Sequence, residues 1–522
     1  MKHVILCYCI LFVFTSASAQ QPGNFDGDFS ADGVGNYYVP DYTGPCLAYA
    51  AAIQPDGKIV IAGNSSYDSN SSGNVTLMRI NPDGSPDEWF GNQLFWNSTN
   101  SYFAPMGFAI ENATVAGFIA KAVAILPNGN IVAGATSYAN NGFVVQNFGT
   151  SGYLNSGFGN GGTTVTSLGS SATLYALAVQ PDGKIVAAGD ASNGIENSTF
   201  ALVRYDQYGN QDADFSFDGI VTTSLGFTFG SSARALAIQP DGKIIAAGNY
   251  GGQGALVRYN ADGTLDYTFG SNGKVFLNIA DESNLSAVAL QPDGKIVAAG
   301  YSFDLNTFQS YYTLMRLTAN GSLDNSFGTN GIATVSDGSF TGVAIQPDGK
   351  IVAVGTRNSS ETLDVIRFNT NGTRDNTFGI QGIAYPIFGA QGTAIALQPD
   401  GKIVVAGSAL AGYPHKSFCV ARYLSGFNVG MVNTLTNAVQ TYIYPNPVAN
   451  EAVFEFELET AATVTLSVYN SNGQIIQQPV AEIRLEAGKQ KITLPVNNLH
   501  SGAYLLTLQA GQQSVTTKFV KQ

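Results

Sequence analysis

A ten-residue string, QPDGKIVAAG at Gln180–Gly189, organises this chain. Near-copies begin at Gln54, Gln239, Gln291, Gln346 and Gln398, and a degraded one, LPNGNIVAGA, begins at Leu126. Their prolines are Pro55, Pro127, Pro181, Pro240, Pro292, Pro347 and Pro399. A repeat of roughly 50 residues excludes a single unrepeated core and points to a propeller or an array. Each copy reads as one supersecondary unit. An apolar strand such as Ala235–Ile238 leads into the turn Pro240-Asp241-Gly242. Proline presets the first turn angle there, and glycine takes the unusual backbone angle that follows. A second strand, Lys243–Ala247, ends at Gly248. A variable loop, the strand Ala255–Tyr259, the turn region Asn260–Gly273 and a last strand, Lys274–Ile279, complete the unit. The strands are apolar almost throughout, as expected of sheets covered on both faces. Four antiparallel strands stacked on like neighbours make a propeller blade.

The seventh copy stops after its third strand, Phe418–Tyr423. The missing half stands at the other end of the chain. GNFDGDFSADGV at Gly23–Val34 closely matches GNQDADFSFDGI at Gly209–Ile220, and a short strand over Gly35–Val39 follows. The expected architecture is an all-β, seven-bladed β-propeller over 20–424, closed by an N-terminal strand that completes the last blade. Closure removes the free sheet edges of an open array. After a linker over 425–441, residues 442–522 alternate short apolar runs with turns, and a small C-terminal immunoglobulin-like β-sandwich is predicted there.

Composition narrows the function classes. Charged residues make up only 12% of the chain, 60 of its 522 residues are glycine, and the formal net charge is -13. That balance argues against nucleic acid or an anionic membrane surface as partner. Lys2, the apolar run Val4–Phe14 and Ala17-Ser18-Ala19 read as a signal peptide over 1–19. No later segment is a transmembrane candidate, and a monomer is expected.

Two resemblances follow from these residues. The pattern QPDGKIVAAG, ALVRYN, DGTLD and FGSNG resembles the delta-60 repeat family, which implies a β-propeller and supplies no catalytic residue. The C-terminal segment resembles the sorting domain of the type IX secretion system. The residues that carry it are Tyr444, Pro445, Asn446 and Pro447 in YPNPV, Gly473 in VYNSNGQII, Gly502 and Tyr504 in LHSGAYLLTL, and Lys518 and Lys521 in KFVK. This resemblance implies passage across the outer membrane of a Bacteroidetes-type bacterium, the secretion machinery as a partner, and release or attachment at the cell surface.

Nothing in the sequence demands an enzyme. Beyond the leader only His415 and His500 remain, which excludes a His-Cys zinc cluster and disfavours a Ser-His-Asp triad. No cofactor is expected. Calcium is the one metal the aspartate-rich turns suggest, through Asp262 and Asp266 or Asp26 and Asp28, but EF-hand spacing and a bidentate glutamate are missing. Turn capping is the simpler reading. Arginines recur in the third strands and aspartates after the next turn: Arg258 with Asp266, Arg316 with Asp324, and Arg422 with Asp26 across the closure. The second blade has Gln146 and Asn155 instead, losing both together. A structural ion pair in each blade is the expectation. The recurring Phe29, Phe90, Phe215, Phe269, Phe327 and Phe378 read as core between blades. Cys46 and Cys419 fall in blades that closure makes neighbours, so a disulfide across the seam is a further expectation.

Both invariant turns of a blade emerge at one end of the ring. The variable loops emerge at the other, and long loops on a rigid scaffold are where binding resides. Their aromatics Tyr67, Trp96, Tyr102, Phe303, Phe308, Tyr311 and Tyr413 are the candidate ligand contacts. Two readings stand: a propeller that binds extracellular glycan or protein through this face, or a polysaccharide hydrolase or lyase using a carboxylate pair near the channel.

Overall fold

The computed structural model describes residues 21–39, 44–66, 74–91, 95–97, 102–104, 107–111, 118–194, 197–226, 228–410, 416–426, 442–444, 448–458, 460–470, 475–499, 502–510 and 513–521. The leader expected from the sequence and residues 427–441 of the expected linker lie outside these residues. Among those described between 21 and 426, seven four-stranded antiparallel sheets follow one another along the chain. The fourth blade is representative: Ser231–Ile238, Ile244–Tyr250, Gln253–Tyr259 and Lys274–Leu277. Its first turn closes with the Gln239 amide donating to Lys243 O at 2.8 Å, while Gly242 takes a φ of 84°.

The first strand of each blade packs against the first strands of both neighbours, and that of the seventh, Ala390–Leu397, packs against that of the first, Cys46–Ile53. The first strands therefore form the inner wall of a closed ring. Closure is made by Val34–Tyr37, which pairs antiparallel with Lys416–Tyr423 in the register Val34 to Ala421 and Tyr37 to Phe418. Alternate residues of a strand serve opposite gaps between blades. Val186, Ala188, Phe200 and Leu202 pack towards the fourth blade, whereas Ile185, Ala187, Ala201 and Val203 pack towards the second. Burial on both faces is why these strands show no alternation of apolar and polar residues.

That same alternation overturns the disulfide expectation. Cys46 is buried in the gap between the first and seventh blades with Phe418 and Val420. Cys419 lies between those two residues in sequence and so points to the other face of its sheet, towards Val352 and Val354 of the sixth blade. Both cysteines are free, and burial pushes the Cys419 thiol up to about 12.

The C-terminal strands form a separate two-sheet sandwich. Tyr442–Tyr444, Glu451–Leu458 and Gly488–Pro495 make one sheet. Ile475–Leu485, Ala462–Tyr469, Gly502–Ala510 and Gln513–Lys521 make the other. Phe454, Phe456, Leu466, Val468, Leu506 and Phe519 fill the space between them.

Candidate binding site on the variable-loop face

The blades are held in register at the end opposite the variable loops. Arg258 Nε donates to Asp266 Oδ2 at 2.8 Å, and both side chains are buried. Arg316 and Asp324 meet at 2.8 Å, and Arg422 meets Asp26 at 2.7 Å across the closure. Three parts of the arrangement were not read from the sequence. The lysine of each PDGK turn shares the carboxylate, as Lys243 does with Asp266 at 2.8 Å. The arginine's Nη1 crosses to a backbone carbonyl of the next blade: Arg258 to Ala319, Arg367 to Ser425, and Arg422 to Pro82. Its guanidinium also lies over the ring of the recurring phenylalanine, 4.5 Å from the centroid for Arg258 over Phe269. The phenylalanines are thus core residues and cation–π partners at once. Burial opposes ionisation of Asp375, but bonds from Thr377 and Lys350 and the charge of Arg367 prevail and hold its carboxyl at about 2. Asp262 and the remaining oxygen of Asp266 accept from Thr264 and Thr268 within their turns. Among the described residues no group of three or more His, Cys, Asp or Glu has the geometry for a metal.

The opposite end carries a cavity of about 860 Å³ between the fifth and sixth blades. Its aromatic wall is Tyr301, Phe303 and Phe308, from the second strand of blade five and the hairpin that follows. Phe308 is 77% exposed and has a φ of 53°, so the hairpin presents its ring instead of burying it. The polar wall is Gln309, Ser310, Ser336, Ser339, Asn358 and Ser359, with the carboxylates of Glu282 and Asp337. Asp337 also has a left-handed backbone, with a φ of 73°. Its amide donates to Ser310 O at 2.8 Å, and its carboxylate accepts from the Ser359 amide at 3.1 Å and from the Ser359 hydroxyl. Asn358 Nδ2 donates to Ser310 Oγ at 2.7 Å, tying the two hairpins together. Deeper between the same blades, Tyr312 and Arg357 both donate to the buried Asp364, whose carboxyl burial pushes upward. The rim is therefore preorganised by hydrogen bonds between blades, a property that lowers the ordering cost of binding.

Of the candidate ligand contacts, Phe303 and Phe308 come together here. Tyr311 is on the adjoining strand, its hydroxyl donating to Gln309 Oε1 at 3.1 Å. Trp96 and Tyr102 lie on paired strands, Phe95–Asn97 and Tyr102–Ala104, inserted in the first blade. Tyr67 and Tyr413 lie outside the described residues. Tyr301 and the blade-six residues Asn358 and Ser359 were not among the candidate contacts, although all three lie in stretches that read as variable loops, Tyr301–Tyr311 and Thr356–Glu361. The crossover at Ser336-Asp337 was the available signal, since it sits beside the Tyr301–Tyr311 loop once blades are stacked.

In the sandwich, the Tyr444 hydroxyl donates to Glu455 Oε2 at 2.9 Å, and Tyr504 stacks on Phe519. Gly502 pairs with Lys521 at the edge of the second sheet, and Lys518 pairs with Leu505 in the same ladder. Pro445, Asn446, Pro447 and Gly473 lie outside the described residues.

A family model described as a domain of unknown function (DUF5122) beta-propeller matches six segments, 54–90, 180–215, 239–269, 291–327, 346–378 and 398–425. The blade it passes over is the second, which lacks the Arg–Asp pair. A second model, the secretion system C-terminal sorting domain, matches 442–522. Among curated proteins none matches. The chain is similar to the β-propeller domain of the Trilobed protease from Pyrococcus furiosus, which has an open velcro topology (TM-score 0.38, 8% identity, 75% of this chain and 99% of that one). It is also similar to prolyl oligopeptidase B from Galerina marginata (0.41, 10%, 80% and 57%). A third similar structure is an exo-β-1,3-galactanase from Phanerochaete chrysosporium (0.27, 11%, 96% and 99%).

Proposed function

We propose, for a chain that carries a DUF5122 β-propeller and a type IX secretion sorting domain and is thereby exported to the cell surface or the extracellular space, that the propeller is a glycan-binding module. The cavity between blades five and six is its binding site. One observation carries the reading: three aromatic side chains face a wall of hydroxyl and amide groups across about 860 Å³. Sugars have apolar C–H faces that pack on aromatic rings and hydroxyl rims that need short polar partners. Tyr301, Phe303 and Phe308 supply the first kind of contact. Gln309, Asn358 and the serines supply the second. The volume suits a small oligosaccharide, since ligand pockets run from about 300 to 1,000 Å³.

Glu282 and Asp337 on the same wall support a second reading, a hydrolase acting on that glycan. One experiment separates the two. Secreted full-length protein is titrated with neutral and acidic oligosaccharides, and released reducing ends are measured in the same samples. Saturable binding without release, weakened about tenfold by Phe308→Ala, a loss of about 1.4 kcal/mol, is the expected result. Reducing-end release abolished by Glu282→Gln assigns the hydrolase instead. Binding to proteins with no response to any glycan overturns both.

A further inference from the structure

The last glycine of the QPDGKIVAAG string has a consequence at the centre of the ring. In blade three a Cβ on Gly189 would stand 1.8 Å from Thr173 O, and in blade five one on Gly300 would stand 1.8 Å from Asn284 O. The first strand runs close to its partner here, and its pairing slips by one residue just beyond, opposite Ala135 in blade two as opposite glycine in the others. The slip falls between Ala48 and Ala50, Ala120 and Ala122, Leu174 and Ala176, and Ala233 and Ala235 in the first four blades. It recurs at Leu285/Ala287, Phe340/Gly342 and Gly392/Ala394 in the other three. Each slip is a β-bulge, and a bulge re-aims the extra side chain. Every blade thus presents one residue from the innermost strand at the same height, and this is a position the repeat leaves variable. The first four are Tyr49, Lys121, Tyr175 and Arg234, and the last three are small hydroxyl residues.

The first four form two cation–aromatic pairs. Lys121 Nζ lies 3.5 Å from the centroid of the Tyr49 ring, and the Arg234 guanidinium lies 5.0 Å from that of Tyr175. Each pair spans adjacent blades. Burial and the charge of Arg234 both disfavour the charged form of Lys121, although a whole blade separates their strands. Neither has an ion-pair partner among the described residues, and Arg234 Nε is buried with no hydrogen-bond partner. Burial pushes the carboxyl of Asp190, the nearby acid, up to about 6, while its hydrogen bond with the Tyr175 hydroxyl and the charge of Arg234 pull the other way. Two half-buried cations with no ion-pair partner repel each other, and the single carboxylate of Asp190, which the charge of Arg234 helps to keep ionised, offsets only part of their charge.

We infer that the central channel is an oxyanion site, in which Lys121 and Arg234 grip one carboxylate or sulfate group from opposite sides. Arginine supplies the planar two-donor fork that matches such groups, and lysine supplies a point charge. Tyr49 and Tyr175 hold the two cations in place through their ring faces. The small residues of the last three blades leave room on the far side. This site is separate from the cavity between blades five and six.

Calorimetric titration of the full chain with sodium sulfate and with trigalacturonate, at constant ionic strength, tests the assignment. Each probe is expected to bind saturably at one site. The double substitution Lys121→Gln/Arg234→Gln is expected to weaken binding at least tenfold, Lys121→Arg to retain it, and Phe308→Ala to leave sulfate binding unchanged. Measured in the Phe308→Ala variant, tighter binding of trigalacturonate than of sulfate assigns the natural group to a sugar acid, and equal binding assigns it to a free oxyanion. Should the double variant unfold, Lys121→Met alone must still lower affinity for sulfate. Absence of saturable binding, or equal affinity in a folded double variant, overturns the inference.

Discussion

Arg258 shows how one residue can do three jobs. It neutralises Asp266 within its blade, caps the Ala319 carbonyl of the next, and covers Phe269. Removing one member of a buried pair strands the other, a loss of roughly 3 kcal/mol, whereas replacing both together costs much less. Asp266→Asn alone should therefore lower propeller stability in urea by that amount. Arg258→Gln with Asp266→Asn, the combination already present as Gln146 and Asn155, should lose less than the single variant. A double variant as unstable as the single one would rule out pairwise coupling. Comparison of copies made the Arg–Asp partnership legible in the sequence, because the second blade drops both charges. The carbonyl of the neighbouring blade was not legible, because it is a backbone atom whose identity is independent of the side chain.

At the scale of the strand, the glycine that six of the seven blades share is a packing feature and not a turn device. Gly300 lies in ordinary extended backbone, yet a methyl group there meets Asn284 O. Overpacking of this kind costs about 2 kcal/mol. Gly300→Ala is expected to lower the thermal midpoint and to disturb the pairing of Leu285 and Ala287, read by amide hydrogen exchange on that strand. The second blade places Ala135 at the equivalent position and keeps its bulge, so a neutral Gly300→Ala would mean that the strands can separate enough to admit a methyl. The glycine was visible from the first reading. Its effect was not, because a bulge is a relation between two strands, and sequence periodicity describes one strand at a time.

For the whole molecule, the seam between the first and last residues of the ring is the decisive contact. Val34–Tyr37 completes the seventh sheet, Phe25 bridges to Tyr423, and Asp26 receives both Arg422 and Lys402. Deleting 21–39 leaves an exposed sheet edge and a buried unpaired arginine. The truncated protein should lose its single cooperative unfolding transition and aggregate, as followed by calorimetry and light scattering. Retention of the full transition midpoint would show that the ring stands without its closing strand.

The repeat alone determined the blades, their order and the closure, because identical strings must adopt identical local structures and an incomplete last unit needs the complementary half. The secretory address is likewise local, because it resides in contiguous residues at 442–522. Tertiary structure alone decided three things. It set Cys419 on the face away from Cys46, it joined Tyr301 and Phe308 of one blade to Asn358 and Ser359 of the next, and it laid Lys121 and Arg234 over the tyrosine rings of the preceding blades. Each depends on which side of a sheet a residue faces and on which blades become neighbours. Such relations arise from packing between segments that are distant in the chain, and no local pattern encodes them.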